Sequence, residues 1–234
     1  MYLRELLFND YYHQFLVIEA DTLTERCSKY VKVKEDDCFA LCSNYVAQDG
    51  HLCFQVLSIG NNWQNYTKGL RRKDVLAIFD VWEVLDKQVE IITPTAQMVK
   101  KNNNFMNTVE KDVDLEKLFT RVDPRMDMIR DFINPDYVQV GLMTNKGIQE
   151  FFMEAECFNG PFLEGHLVEQ PDASLKLKVN DKIRALPYIV DGYVRLISIF
   201  VGDKLSEEEE MALKQFIKDG DTYGFGFAIP TIKN

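Results

Sequence analysis

Between Asn61 and Lys73 the chain places two aromatics, Trp63 and Tyr66, and four cations, Lys68, Arg71, Arg72 and Lys73. A flat ring beside guanidinium groups can stack a base, a sugar ring or a peptide side chain. Polar loops carry function more often than the elements they join. The competing reading folds Trp63 back as a lid on the core and leaves the cations solvated. A second set of chemical groups is acidic. Glu150, Glu154 and Glu156 fall on one face of a strand over 148–157, with Phe151, Met153, Ala155 and Cys157 on the other. A spacing of two residues puts carboxylates about 6–7 Å apart, a separation that suits paired acid–base work or a hard cation. The same glutamates could instead pair with Lys176, Lys178 or Arg184 on a neighbouring strand.

Cys38, Cys42, His51 and Cys53 are the soft-ligand group. A four-residue loop would pair Val46 with His51 and Asn44 with Cys53, placing Cys42, His51 and Cys53 on one face. Cys38 and Cys42, i and i+4 on one strand, lie about 13 Å apart and cannot share an ion without a bulge. Core thiols are the expectation, and neither metal nor cofactor is assigned. His13 and His166 have no Ser or Cys beside them in sequence. The chain contains no G-x-G-x-x-G, G-x-x-x-x-G-K-(S/T), G-x-S-x-G, H-E-x-x-H or C-x-x-C, which lowers the case for an enzyme. No catalytic residue is assigned.

The 234 residues carry 27 Lys and Arg against 37 Asp and Glu, a net charge of −10. The deficit is spread: 10 against 14 over 1–92, 7 against 8 over 93–136 and 10 against 15 over 137–234. No part is basic enough to wrap a nucleic-acid duplex. An acidic surface suits solubility and a protein partner of opposite charge. No apolar run approaches the roughly 20 residues that a bilayer needs, so no membrane span is expected. The first residues, with Arg4 and Glu5 inside the apolar stretch, lack the features of an export signal. The five cysteines are therefore expected as reduced thiols in the cytoplasm.

The pattern predicts an α+β protein. Residues 15–18, 38–46 and 51–59 read as strands, the last two joined by a hairpin at Ala47–Gly50. Residues 75–85 read as a strand, with a helix as competitor. Thr93-Pro94 signals a helix start, Lys100–Asn104 its end, and two short helices follow, the second opened by Asp123-Pro124. Strands return at 137–143, 148–157, 162–168, 181–187 and 193–201. Ser206 with Glu209 then caps a helix, and 223–229 alternate as a last strand. The organisation expected is two β-rich parts built of antiparallel hairpins, 1–92 and 137–234, joined by a helical connector, 93–136. The block Leu70–Phe79 matches Leu177–Leu186 at identical offsets around Asp74 and Asp181, which two related halves would explain.

Residues 140–200 contain Glu154-Ala-Glu-Cys-Phe-Asn-Gly160-Pro-Phe-Leu-Glu-Gly165-His-Leu, then Leu175-Lys-Leu-Lys-Val-Asn-Asp181, then Ile189-Val-Asp191-Gly. This stretch resembles a small bacterial domain family without established chemistry, some of whose members sit near toxin-immunity genes. Asn180 stands where that family has Gly, and Glu169-Gln-Pro171 replaces its N-x-P turn. The resemblance implies a small bacterial α+β domain and carries over no catalytic residue. The leading expectation is a bacterial cytoplasmic, non-enzymatic protein-binding module, immunity-like or regulatory. Its binding residues would be Trp63, Tyr66, Lys68, Arg71, Arg72, Glu154 and Glu156. The alternative is a hydrolase or transferase acting on a small phosphorylated or nucleotide ligand, held by Trp63, Arg71 and Arg72 with a carboxylate as base.

Overall fold

The computed structural model describes residues 1–20, 24–109, 113, 115–144, 147–190, 193–201 and 231–232. The helix and strand expected over 206–229 lie outside them. The fold is α+β and β-rich. It divides into two compact units, Met1–Val113 with Phe132–Pro135, and Asp114–Asp131 with Asp136–Asn234. The helical segment 93–136 is thus shared between the units.

The first unit opens with a one-turn helix α1 (Phe8–Tyr11) and builds a five-stranded sheet from β1 (Phe15–Glu19), β2 (Phe39–Val46), β3 (Leu52–Gly60), β4 (Ala77–Asp80) and β5 (Val89–Ile92). The strand order is β4-β3-β2-β1-β5, antiparallel throughout. Every residue of β2 and β3 is buried. Both sheet faces are covered, which is why these strands run nearly unbroken in apolar residues. Leu16, Ile18, Ala40, Cys42, Phe54 and Val56 pack on one face with Leu3, Phe8 and Tyr11 of the N-terminal segment. Phe15, Val17, Phe39, Leu41 and Leu57 pack on the other. The span 75–85 contains both rival elements: β4 ends at Asp80, and α2 (Val81–Val84) follows at once.

The hairpin β2–β3 is one residue tighter than expected. Gly50, at φ +86°, donates its N–H to Ala47 O (3.0 Å), and Ala47 pairs with His51. A left-handed glycine closing a three-residue loop is a standard hairpin end. Val46 therefore faces Leu52, Asn44 faces Phe54 and Tyr45 faces Cys53. A slip of one residue moves each side chain to the opposite face, so Cys42 and Cys53 lie on different sides of the sheet, not on the one face expected for Cys42, His51 and Cys53.

Helix α3 (Ala96–Val109) starts after Pro94, with the Thr95 hydroxyl accepting from Met98 N–H (3.4 Å). It runs straight through Lys100–Asn104, where a break was expected. Asparagine is a poor helix former, but tertiary contacts along one side hold the helix together. Met98 is buried in the core, Lys101 and Asn102 bond to the sheet, and Phe105 meets Tyr45 edge to face at 5.2 Å. Packing overrides propensity.

The second unit is a closed barrel. The antiparallel meander β6 (Tyr137–Thr144), β7 (Gly147–Asn159), β8 (Phe162–Leu167), β9 (Lys182–Val190) and β10 (Tyr193–Val201) is sealed by parallel pairing of β10 with β6. The parallel seam, Leu196 with Val140 and Ser198 with Leu142, had no signal in local periodicity. A two-residue segment β11 (Thr231–Ile232) lies along β9. Val138, Val140, Met153, Leu163, Ile183 and Leu196 fill the interior. Met126 joins them, carried on a 3-10 turn (Pro124–Met128) that Asp123 caps through Arg125 N–H at 2.9 Å. Helix α4 (Leu115–Val122) packs along β7.

In both units the fifth strand adds beside the first, and the matched blocks 70–79 and 177–186 each enter the fourth strand. The fifth strand is antiparallel to the first in one unit and parallel in the other.

Candidate functional site

The 60–72 loop leaves β3 through Gly60, whose position admits no side chain: a Cβ there would lie 1.6 Å from Asn65 O. The close approach lets Asn61 N–H reach Asn65 O at 3.0 Å and draws the loop into a tight ring. Ile59 and Lys68 then exchange both backbone hydrogen bonds, each 3.0 Å. This folds the aromatics inward. Trp63 is half-buried with its ring edge-on to Phe39 at 4.9 Å, and Tyr66 packs on the same cluster. Burial first, and Glu90 second, pushes the Tyr66 hydroxyl up. Lys68 is ion-paired with buried Asp37. Three of the five residues singled out here therefore hold the loop together.

Arg71 and Arg72 differ. Both are exposed and line a cavity of 550 Å³ with Thr67, Gly69, Leu70 and Gln97 of α3. The Arg72 guanidinium lies 5.9 Å from the Tyr30 ring centre.

Lys101, which the sequence reading passed over, stands behind this loop at 5% exposure. Its Nζ donates to Leu57 O (2.6 Å) and Gly69 O (3.1 Å). Leu57 is the extra residue of a β-bulge opposite Leu41 and Cys42, and a bulge frees a carbonyl from the ladder. Burial, then Arg72, lowers the Lys101 ammonium from 10.5 to about 8. An unfolded lysine stays protonated to about pH 10.5, so between about 8 and 10.5 the unfolded state binds the extra proton and this group's contribution to stability rises with pH. Wild type should gain stability relative to Lys101→Met as pH goes from 7.5 to 9.5. Urea denaturation at both values checks this, and a constant difference would refute it.

In the second unit the four glutamates of β7 and β8 are engaged. Glu150 pairs with Arg195 and Glu154 with Lys117 of α4. Glu156 holds His166 Nδ1 at 3.0 Å and Lys182 Nζ at 3.3 Å. Glu164 holds Arg184 at 2.9 Å and Lys182 at 3.1 Å, and its carboxyl sits below the ordinary range because these bonds outweigh burial. The partners are not Lys176 or Lys178: β8 and β9 bring Lys182 and His166 to Glu156, and a bulge between Ala155 and Cys157 separates Glu156 from the strand's regular alternation. Beneath α4, Arg121 Nε and Nη2 grip both oxygens of Asp136 at 2.8 and 2.7 Å, each side chain 2% exposed.

A second cavity, 630 Å³, opens on the barrel's outer face over Gly141, lined among others by Ile148, Glu150, Tyr193 and Arg195. Among the described residues no group of three or more His, Cys, Asp or Glu is placed to hold a metal ion. Burial pushes Cys27 and Cys53 to about 11 and about 12 and pushes Cys42 well up too, so these thiols are poor nucleophiles at neutral pH. His13 stacks on Tyr12 at 4.0 Å and His51 contacts Asp49 at 3.2 Å. No helix among the described residues is long and apolar enough to cross a membrane. No family model, curated protein or solved structure matches the chain.

Proposed function

We propose that the chain is a non-enzymatic protein-binding module, cytoplasmic and bacterial, whose recognition surface is the cationic rim Arg71–Arg72. The observation that carries this reading is a contrast of partners. The glutamates of β7 are paired with the cations Arg195, Lys117 and Lys182, and Glu156 also contacts His166. Arg71 and Arg72 are exposed beside a cavity whose described lining contains no carboxylate. A carboxylate held by a cation is a poor general base, because its pairing favours the charged form and lowers its basicity. Two exposed guanidinium groups with no ion pair among the described residues suit an anionic surface on another molecule. The likeness of residues 140–200 to a family found near toxin-immunity genes points the same way.

The test is capture from lysate of the source organism, with wild type, Arg71→Ala/Arg72→Ala and Glu154→Gln/Glu156→Gln as parallel baits. A near-stoichiometric protein held by wild type and by the glutamine variant, and lost by the alanine variant, is the expected result. Retention of a small metabolite alone would overturn the reading in favour of an enzyme.

A further inference from the structure

The turn that carries Arg71 and Arg72 has the build of an oxyanion cradle. Leu70 N–H donates to Thr67 O at 3.1 Å and Arg72 N–H to Gly69 O at 3.0 Å, with Gly69 left-handed at φ +88°. The N–H groups of Gly69 and Arg71 meet no acceptor among the described residues. They flank Leu70, whose N–H is already spent on Thr67 O, and unspent backbone N–H groups next to a left-handed residue are donors that suit an anion. Thr67, Gln97, Arg71 and Arg72, all residues with hydrogen-bond donors, line the cavity beside them. Neither arginine forms an ion pair with a described residue. Behind the wall, the Lys101 ammonium holds the Gly69 carbonyl at 3.1 Å. That contact turns the carbonyl toward the lysine and adds positive charge on the far side of the turn.

We infer that this cavity binds the phosphate monoester of a phosphorylated side chain on the partner protein, an inference that rests on the rim being the recognition surface. The donors favour phosphate over carboxylate. A phosphomonoester brings three terminal oxygens and a charge of about −1.5 to −2, and it can occupy two guanidinium forks at once. A carboxylate has two oxygens and a single charge. The described lining also contains no aromatic ring. Trp63 is committed to Phe39, and Tyr66 to the core. That lining gives a nucleobase no aromatic platform, so the inference commits to a phosphate carried by a protein side chain and not by a nucleotide.

The experiment uses the full chain at constant ionic strength, because such contacts are screened by salt. The probes are inorganic phosphate, an acetylated and amidated Ala-Ala-phosphoserine-Ala-Ala peptide, the same peptide with serine or glutamate at its centre, and AMP. Calorimetric titration should show binding of phosphate and of the phosphopeptide. The phosphopeptide should bind about tenfold or more tighter than the glutamate peptide. Arg71→Ala/Arg72→Ala should weaken it by about tenfold or more, the scale of charge-assisted hydrogen bonds. Both replaced side chains are exposed, so thermal melting should be unchanged and loss of binding cannot be put down to unfolding. Equal affinity for the glutamate peptide, tighter binding of AMP than of the phosphopeptide, or no binding of any probe would each overturn the inference. If no probe binds while the lysate partner is still held through Arg71 and Arg72, the phosphate inference falls and the recognition surface stands. If the partner too is held equally by the alanine variant, both fall.

Discussion

Asp136→Ala should cost the second unit about 3–5 kcal/mol, the usual penalty for leaving one member of a buried ion pair behind. The Asp136 carboxylate meets the Arg121 fork through two bonds of 2.7 and 2.8 Å and also faces Lys117 Nζ at 3.5 Å. Both members of the main pair are 2% exposed, so water cannot replace the lost partner. Deleting the carboxylate strands a guanidinium beneath α4 and removes one of the two anions near Lys117. The pair itself need not be a large net stabiliser, because its gain is set against the desolvation of two charges. Arg121→Met with Asp136→Leu should therefore recover most of the loss. Urea denaturation of Arg121→Met, Asp136→Leu and the double variant tests this as a cycle. Additive losses in the double variant would contradict it.

Gly60→Ala should cost the first unit about 2–3 kcal/mol, at the upper end of overpacking. The new methyl meets Asn65 O, Asn65 C and Tyr66 Cα at 1.6, 2.4 and 2.4 Å. All three are backbone atoms, so no rotamer change relieves the contact. The ring between Asn61 and Asn65 must open, and the seat of Trp63 on Phe39 opens with it. The chain has two tryptophans, and Trp82 is 61% exposed, so the measurement is best made with Trp82→Phe in the background. Trp63 emission should then shift to the red in Gly60→Ala, together with a lower denaturation midpoint. An unchanged spectrum and midpoint would show that the loop does not depend on this close approach.

Local pattern carried the strands well, because period and turn residues are local properties. Phe39, Leu41 and Tyr45 against Ala40, Cys42 and Val46 did separate onto the two faces of β2. What pattern could not supply was pairing at a distance. The short strand β5 lies beyond α2 and is specified by β1, against which Val89 meets Ile18. The barrel closes through a parallel seam between segments more than fifty residues apart. Register was lost by one residue at Gly50, since the count of loop residues depends on which one takes the left-handed conformation. Helix α3 looked interrupted because Asn102, Asn103 and Asn104 argue against helix. Asn102 is held by Ser43 at 2.5 Å, a contact no sequence window contains.

The candidate site was legible in part for the same reason. The density of cations and rings at 61–73 stood out in an acidic chain. Composition could not divide it into a structural half, Trp63, Tyr66 and Lys68, and an outward half, Arg71 and Arg72. That division follows from Gly60 and from the exchange between Ile59 and Lys68. Lys101 was passed over because a lysine in a polar helix ordinarily points to solvent. Its local signal is the three-residue step from buried Met98, which puts both on the same helical face. The glutamates of β7 were placed on a strand correctly, and their partners were not foreseen, because α4, β8, β9 and β10 supply them from elsewhere in the chain.

The most direct measurement of the central claim is the affinity of the captured partner for wild type and for Arg71→Ala/Arg72→Ala, titrated at low and moderate salt. Weakening by about tenfold or more in the variant, with a shallower dependence on salt as two charged contacts are lost, is the expected result. Equal affinities and equal salt dependence would show that the partner is recognised elsewhere and would contradict the assignment of the rim.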